Sequence, residues 1–381
     1  MLPPGIVAEG KNMSKLFENS VINGMNLPNR FVRSATWEGM AADDGAVTPK
    51  LIGTMTALAR GGVGLIIGGH AYVRPDGKAS PWQLGIYKDE LVPGLQELAT
   101  AVHACGGRIV AQLAHAGCFT SAQLTGQPPL VVSNFDELTT ESPRKEITAR
   151  DIREIVDAFA AAARRARSAG FDGVQIHSAH GYLLSQFLSP AFNKRRDEYG
   201  GNIHNRARIH LEVCHAVREV VGKDYPVLIK MNCRDFVENG LDLEESLQVA
   251  HLLADAGLDA IELSGGTLVS GRLSPSRSKI NSPDKEAYFR EEASAFKKEI
   301  GIPLILVGGM RSIEVAEQLV ENGVADYISM SRPFIREPDL INRWKAGDLR
   351  KAQCKSDNLC FGPGREGKGI YCVVKKDEEV A

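Results

Sequence analysis

The sequence lacks the features that mark membrane, secreted and nucleic-acid-binding proteins. Its 381 residues contain no apolar run approaching the roughly 18 residues of a membrane span. The first twelve residues, MLPPGIVAEGKN, lack the basic region and apolar core of a secretory signal. The net charge is -2 and no stretch is strongly basic, so nucleic-acid binding has little electrostatic support. We therefore expect a cytoplasmic protein with neither a membrane nor a nucleic acid as partner.

Cysteine is sparse and unevenly placed. The chain has seven cysteines, an odd number scattered through a long sequence. Such usage indicates free thiols in a reducing compartment, not a disulfide framework. Three of them, Cys354, Cys360 and Cys372, lie together near the end of the chain.

The sequence also has no strand followed by the glycine fingerprint of a dinucleotide site. Instead, short apolar runs alternate with segments of helical periodicity. We predict eight strands, at residues 29–35, 63–67, 108–113, 173–176, 227–231, 260–263, 304–307 and 327–330. The predicted helices lie at residues 48–60, 89–104, 148–169, 205–221, 243–256, 288–300, 313–322 and 338–346. Alternation predicts a parallel sheet, and eight units favour an α/β fold of the closed (β/α)8 TIM barrel type. A doubly wound open sheet is the alternative, because periodicity alone does not exclude it.

The predicted barrel accounts for most of the chain as a single domain. We assign residues 13–350 to it, residues 1–12 to an N-terminal extension and residues 351–381 to a short C-terminal tail. Thr148 and Asp151 are suited to capping the helix that begins there. Residues 117–143 form a long irregular stretch, and loops of that length are usually functional or mobile.

Polar residues collect where the predicted strands end. They are Thr36, His70, Gln112, His115, His177, His180, Tyr182, Lys230, Ser331 and Arg332. Active-site groups of a barrel lie at the carboxyl ends of its strands. The sequence therefore predicts one site at that end.

The densest group follows the fourth strand, in VQIHSAHGYLLSQFLSPAFNKRRDEYGGNIHN. His177, His180 and Tyr182 fall within six residues, and such side chains can polarise a carbonyl and deliver a proton. Alternatives are a satisfied structural pair with a packed aromatic ring, or a metal site. Ser178 and Ala179 separate the histidines, so the Glu of an HExxH zinc site is missing and metal is disfavoured.

The ends of the last two predicted strands carry residues suited to a phosphate. Gly308 and Gly309 follow the seventh strand, and Ser331 and Arg332 follow the eighth. Backbone N–H groups at such turns approach phosphates, and barrels often bind phosphate there. Two tight turns with a surface arginine are the alternative, and the position in the barrel favours phosphate.

These residues resemble the Old Yellow Enzyme family of FMN-dependent NAD(P)H:flavin oxidoreductases. The resemblance runs from about Leu16 to the tail and is strongest in the histidine stretch quoted above. It is also clear in LPNRFVRSAT, GGVGLII, AQLAHAG, PLILVGGM and SRPFIREPDL. It implies an FMN-binding barrel that takes NAD(P)H as reductant and a small enone-type molecule as substrate.

The resemblance assigns residues to the flavin. Gln112 matches the glutamine at the pyrimidine edge, Lys230 stands where most members carry arginine, and Trp37 stands where relatives have Cys, Thr or His. The matched positions that pack on the flavin or bind its phosphate are Ala35, Thr36, Gly308, Gly309, Ser331 and Arg332, with Ser331 in place of the usual glycine. A lysine keeps the positive charge but loses the planar fork of arginine, so the flavin potential is expected to differ.

The resemblance also assigns the chemistry. His177 and His180 match the pair that binds the activating oxygen of the substrate, and Tyr182 matches the proton donor. The implied reaction is reduction of a C=C bond conjugated to a carbonyl, with hydride from FMN N5. Alternatives on the same scaffold are an oxidative demethylase or dehydrogenase, and a barrel that binds flavin without turnover.

The terminal cysteines match part of a further motif. Longer relatives carry four cysteines after the barrel that hold a 4Fe–4S cluster, followed by further domains. Here Cys354, Cys360 and Cys372 keep three of those places and Asp357 takes the fourth. Carboxylate is a poor substitute for thiolate, so we expect a remnant without a cluster in a short form of the family. Zinc on the same four residues is a weaker alternative. Self-association is left open, because no stretch specifies an interface.

Overall fold

The computed structural model describes residues 14–134 and 143–380. Eight parallel strands form its central sheet: β1 Phe31–Arg33, β2 Leu65–Ile67, β3 Ile109–Ala114, β4 Gly173–Ser178, β5 Val227–Asn232, β6 Ala260–Ser264, β7 Leu304–Val307 and β8 Tyr327–Met330. Each strand pairs with the next in chain order, and β8 pairs with β1. The sheet is therefore closed. The predicted (β/α)8 barrel is confirmed, and the open-sheet alternative is wrong.

Eight principal helices surround the barrel: α1 Pro49–Arg60, α2 Val92–Ala104, α3 Ala149–Ser168, α4 Ile203–Val221, α5 Leu243–Asp255, α6 Arg290–Glu299, α7 Ile313–Glu321 and α8 Leu340–Lys345. All eight were predicted, with boundaries shifted by a few residues. The predicted cap of α3 is confirmed. The Thr148 hydroxyl accepts from the Asp151 N–H, and the Asp151 carboxylate accepts from the Thr148 N–H. This reciprocal capping box satisfies two N–H groups that the helix itself leaves unpaired.

The strands are apolar on both faces because both faces are buried. Outward-facing side chains pack against the helices in the main core, whereas inward-facing ones fill the barrel. The lower interior layer includes Val32, Val110, Leu228, Ala260 and Tyr327. A hairpin of Ser20–Ile22 and Met25–Leu27, which the sequence analysis missed, closes the amino end with the side chains of Ile22, Met25 and Leu27.

The carboxyl end of the barrel carries the irregular segments. Within the predicted 117–143 loop, Leu130–Val131 pairs with Lys145–Glu146 beyond it, so the loop is partly ordered. Residues 135–142 of that loop and the predicted extension 1–12 lie outside the described residues. A short helix, Leu183–Leu188, follows β4, and another, Arg332–Arg336, follows β8.

The tail crosses the carboxyl end of the barrel and was not predicted to be helical. It contains the helices Phe361–Arg365 and Val373–Val380. Ala352 N–H donates to the Arg311 carbonyl at 2.8 Å, and Ile370 N–H donates to the Glu38 carbonyl at 2.8 Å. These bonds join the tail to the loops after β7 and β1. Within the described ranges, no helix is long and apolar enough to cross a membrane.

Candidate active site

A layer of polar side chains lies above the apolar layer inside the barrel. Side chains of a strand alternate between its faces, so a residue two positions after an inward apolar residue also points inward. The resulting polar layer consists of Ser34, Gln112, Gln175, Lys230, Glu262 and Ser329, all buried. Five of the eight strands supply it directly, and Ser34 follows β1.

Glu262 is the centre of the polar layer. Its carboxylate accepts from Lys230 Nζ at 3.2 Å, from Ser329 Oγ at 2.8 Å and from Gln175 Nε2 at 3.0 Å. Gln112 Nε2 donates to Gln175 Oε1 at 2.7 Å, which extends the chain to β3. The bonds fix the orientation of both glutamine amides, because each oxygen and nitrogen has a defined role.

Lys230 and Glu262 form a buried ion pair, with side chains 3% and 0% exposed. Burial raises the pKa of Glu262, but the Lys230 charge and the hydrogen bonds to the carboxylate outweigh it and lower the pKa overall. Lys230 Nζ also donates to Ser34 Oγ at 2.7 Å. The predicted cation is therefore present inside the barrel mouth, but a carboxylate that the sequence analysis did not identify balances much of its charge.

The predicted residues after β4 come together with a fourth ring. We call His70, His177, His180 and Tyr182 the histidine–tyrosine cluster. The His177 ring centroid lies 4.8 Å from that of Tyr182 and 5.4 Å from that of His180. His70, after β2, stacks parallel to His177 at 6.3 Å. His180 has φ of 64°, and with Gly181 at 82° it turns the chain so that the side chains of His180 and Tyr182 approach His177 at the end of β4.

Residues of the neighbouring strands β5 and β6 form hydrogen bonds with the cluster. Asn232 Oδ1 accepts from the His180 N–H at 3.1 Å, and His180 Nε2 lies 2.8 Å from Ser264 Oγ. His177 is buried, and its Nδ1 has no hydrogen-bond partner among the described residues. A buried polar atom without a partner carries a desolvation cost, which a bound ligand can relieve.

All three imidazoles of the cluster are neutral at pH 7. Burial, followed by the positive charges nearby, holds the pKa of His177 and His180 well below the ordinary value. Burial lowers the pKa of His70 to about 4. Burial raises the pKa of Tyr182, so its hydroxyl keeps its proton.

Gln83 determines the tautomer of His70. Gln83 Oε1 accepts from the Ala79 N–H at 2.6 Å, so the Gln83 nitrogen faces the ring. That nitrogen lies 2.8 Å from His70 Nδ1, which must act as acceptor. The proton of the neutral ring is therefore on Nε2, which lies 3.3 Å from the Tyr182 oxygen. The tyrosine oxygen accepts this long hydrogen bond, and its own proton is available to a ligand.

A small cavity lies beyond the ends of β7 and β8. Its volume is about 50 Å³, and its walls include Gly309, Arg311, Ser331, Arg332 and Ser356. Gly308 and Gly309 have φ of 146° and 75°, which disfavour other residues. Arg332 Nη1 donates to Asn358 Oδ1 at 2.7 Å. The predicted phosphate-binding residues are thus brought to one place.

Two further departures from the family pattern, Ser331 and Trp37, also have structural partners. The Ser331 hydroxyl lies 2.6 Å from Thr36 Oγ1, so it links the ends of β8 and β1. The Trp37 ring lies against Gly39 and Gly364 so closely that a Cβ at either glycine would be 3.0 Å from it. Trp37 therefore packs on the tail helix Phe361–Arg365. Ala35 is partly buried against the interior apolar layer.

The terminal cysteines are free thiols in this structure. Cys354 and Cys360 are buried and Cys372 is partly exposed. Burial raises the pKa of Cys354 and takes that of Cys360 to about 12. Across residues 14–134 and 143–380, no group of three His, Cys, Asp or Glu side chains is placed to hold a metal ion.

Sequence reasoning missed Gln83, Gln175 and Glu262, and it named His70 without a partner. Gln175 and Glu262 were visible as polar residues flanked by apolar ones in the strands VQIHS and AIELS. Applying the two-residue alternation to them would have placed both inside the barrel. His115, also named at a strand end, lies apart from the cluster, with Nε2 3.4 Å from Asp76 Oδ1.

Comparison with known proteins identifies the family. The family model for the NADH:flavin oxidoreductase / NADH oxidase family matches residues 15–350. The chain belongs to this family, which includes the Old Yellow Enzymes. FMN is accordingly the cofactor.

Three relatives illustrate the similarity. An NADH oxidase from Thermoanaerobacter brockii is 38% identical over 369 residues, which cover 94% of this chain and 55% of the relative. A 2-naphthoyl-CoA reductase solved with 2-naphthoyl-CoA has a TM-score of 0.87 at 28% identity, covering 94% of this chain and 56% of that one. An Old Yellow Enzyme homologue from Zymomonas mobilis has a TM-score of 0.75 at 27% identity, covering 90% of this chain and 96% of that one. The chain thus spans about half the length of the first two relatives.

The residues present fit FMN. The polar layer offers amide and ammonium groups at the barrel mouth, where the heteroatoms of an isoalloxazine need partners. The cavity at Gly309 and Arg332 offers backbone N–H groups and a guanidinium for a phosphate. The histidine–tyrosine cluster borders the same mouth and leaves His177 Nδ1 unpaired for a ligand.

Proposed function

We propose that the protein reduces C=C bonds conjugated to a carbonyl group, using NAD(P)H. The observation that carries the proposal is the histidine–tyrosine cluster: three neutral imidazoles and one protonated phenol, buried together at the carboxyl ends of β2 and β4. Bound FMN would supply the redox chemistry, namely hydride transfer from NAD(P)H to the β-carbon of the alkene.

His177 and His180 bind the carbonyl oxygen of the substrate. Both rings are neutral, and each neutral ring carries one N–H that can donate to an oxygen. The His177 and His180 ring centroids lie 5.4 Å apart, so both rings are close enough to contact one bound oxygen. As hydride adds, negative charge develops on this oxygen, and placed donors stabilise it most at that point.

Tyr182 gives the proton to the α-carbon and recovers one from solvent. Its raised pKa keeps the proton in place until charge develops on the substrate. His70 acts on Tyr182 as a positioning residue, because its Nε2–H points at the tyrosine oxygen and leaves the phenolic proton free. Gln112 and Lys230 hold the pyrimidine side of FMN. Gly308, Gly309, Ser331 and Arg332 hold its phosphate, and Ala35, Thr36 and Trp37 border the ring.

The non-reacting part of the substrate is apolar. Leu268, Val269 and Leu273 are among the most exposed large apolar residues of the described ranges, and all three lie in the loop after β6. This loop touches the site, since the Leu268 N–H donates to the His180 carbonyl at 3.3 Å. Exposed apolar groups beside a site are suited to hydrocarbon. The aromatic thioester bound to the 2-naphthoyl-CoA reductase has this character.

The test separates the two half-reactions. FMN-loaded protein, kept free of oxygen, should be bleached by NADPH or NADH and recover its colour with cyclohexenone. In stopped-flow experiments, Tyr182→Phe should slow recovery about a hundredfold or more and leave bleaching unchanged. Equal slowing of both steps would remove Tyr182 from the donor role. Protein that binds FMN but is not reoxidised by any enone would refute the proposed reaction.

A further inference from the structure

A second cavity with a strongly basic wall lies on the tail side of the barrel. It has a volume of about 420 Å³. We call it the basic cavity. Its cationic lining residues are Arg311, Arg336, Arg343, Arg350, Lys351 and Lys355. Among the described residues of its wall, Glu378 is the one carboxylate. The proposed reaction assigns no role to it.

The charges of the basic cavity are only partly compensated. Glu378 pairs with Arg336, Glu337 with Arg343, and Asp348 with Arg343 and Arg350. These three carboxylates face six cations. Lys351 and Lys355 are exposed, and within the described part of the chain neither has an ion-pair partner. The cavity therefore keeps a positive potential that attracts anions.

Two buried donors of the cavity are unused. Arg311 is 8% exposed, and its guanidinium donates only to the carbonyls of Ile280 and Ala352. Its Nε has no partner among the described residues, and the same holds for Nε of Arg343. Buried N–H groups are nearly always paired in native proteins. The protein therefore does not fill the hydrogen-bonding capacity of two arginines that line one cationic cavity.

From these features we propose that the basic cavity binds a phosphorylated small molecule carrying at least two negative charges. Arginine is suited to this role because its planar fork matches phosphate oxygens, and hydrogen bonds between charged groups are the strong ones. The site is distinct from the FMN phosphate cavity but adjoins it. Arg311 lines both cavities, so a ligand in one changes the electrostatic environment of the other.

In the absence of such a ligand, Glu378 forms an ion pair with Arg336. Its Oε2 accepts from Arg336 Nη2, and its side chain is half exposed on the tail helix Val373–Val380. An incoming phosphate and this carboxylate compete for the same guanidinium. Removing the negative charge of Glu378 should therefore tighten anion binding, which a purely structural ion pair would not do.

The test uses FMN-loaded protein, so that the flavin phosphate site is filled, and follows pyrophosphate binding by calorimetry. Lys351→Gln/Lys355→Gln should weaken binding about tenfold, which corresponds to about 1.4 kcal/mol. Glu378→Gln should tighten it several-fold. Lys298→Gln, at an exposed lysine outside the cavity, is the matched control and should leave the affinity unchanged. FMN absorbance confirms that the cofactor stays bound throughout.

The affinity of a second ligand, compared with that of pyrophosphate, identifies the source of the phosphate. Adenosine 3′,5′-bisphosphate binding more tightly than pyrophosphate would identify a nucleotide-borne group, and equal affinities would identify a free phosphate; either supports the site. No binding of either ligand at physiological salt would overturn the proposal. So would equal affinities in all four proteins.

Discussion

Gln83 Nε2 lies 2.8 Å from His70 Nδ1, and this contact decides which nitrogen of the His70 ring carries the proton. The consequence reaches Tyr182, because the Nε2–H of that tautomer points to the phenol oxygen at 3.3 Å. A side chain with no contact to the phenol thereby keeps the phenolic proton available. The arrangement depends on Ala79, whose N–H fixes the orientation of the Gln83 amide.

The Gln83→Glu substitution should reverse the tautomer of His70 with almost no change in the shape of side chain 83. A carboxylate accepts from His70 Nδ1, moves the ring proton there and leaves Nε2 to accept the phenolic proton. We expect alkene reduction to slow by about ten- to a hundredfold, with flavin reduction by NAD(P)H unchanged. Stopped-flow measurement of both half-reactions tests this. Gln123→Glu, the same change at an exposed position, should have no effect; a loss in that control would point to a general charge effect.

Glu262→Gln should destabilise the protein strongly. The substitution keeps the shape but leaves Lys230 as a buried cation without its carboxylate partner, which typically costs about 3–5 kcal/mol. Urea unfolding of the apoprotein measures the free energy of unfolding. Ser329→Ala removes one hydrogen bond from the same carboxylate and should cost only about 1 kcal/mol. Similar losses in the two variants would show that the ion pair is not the dominant interaction.

The barrel was predictable because its signals are local. Runs such as VGLII and LILV are apolar throughout, and only a strand buried on both faces requires that. The polar layer was less accessible, since a lone Gln or Glu inside such a run acquires its partners only when distant strands are in register. Gln112 pairs with Gln175 across 63 residues of sequence. The order of the tail was missed for a related reason: contacts with Arg311 and Glu38 support it, whereas its own sequence shows little periodicity.

Stability should fall as the pH falls below neutral. In the folded protein the pKa of His70 is about 4, below the ordinary value of 6.5, so the unfolded chain takes up the proton first. The stabilisation is fully present above pH 6.5 and is lost as the pH approaches 4. At pH 5 this one group should cost about 2 kcal/mol of the free energy of unfolding. Burial gives His177 and His180 shifts of the same sign.

The measurement is urea unfolding at pH 7 and pH 5. His70→Gln should reduce the difference between the two pH values by about 2 kcal/mol. His204→Gln, at an exposed histidine, should leave the difference as it is in the parent protein. An unchanged difference in His70→Gln would show that His70 does not titrate in this range.

The Leu268→Asp substitution should change KM for one class of enone substrate and not for another. The side chain is 56% exposed beside His180, so the substitution should leave the fold intact while placing a charge at the apolar rim. We expect KM to rise about tenfold for an enone with a long hydrocarbon substituent, and to stay the same for cyclohexenone. Leu359→Asp, at an equally exposed leucine of the tail, is the matched control. Equal KM changes for both enones would contradict the assignment of Leu268 to the hydrocarbon part.

The bond between the Ile370 N–H and the Glu38 carbonyl has a consequence for how the protein is made. Translation releases a chain from its amino end, so Glu38 leaves the ribosome long before its partner is synthesised. The pairing of β1 with β8 likewise cannot form until β8 has been synthesised. The barrel mouth therefore cannot close fully until Ile370 has left the ribosome.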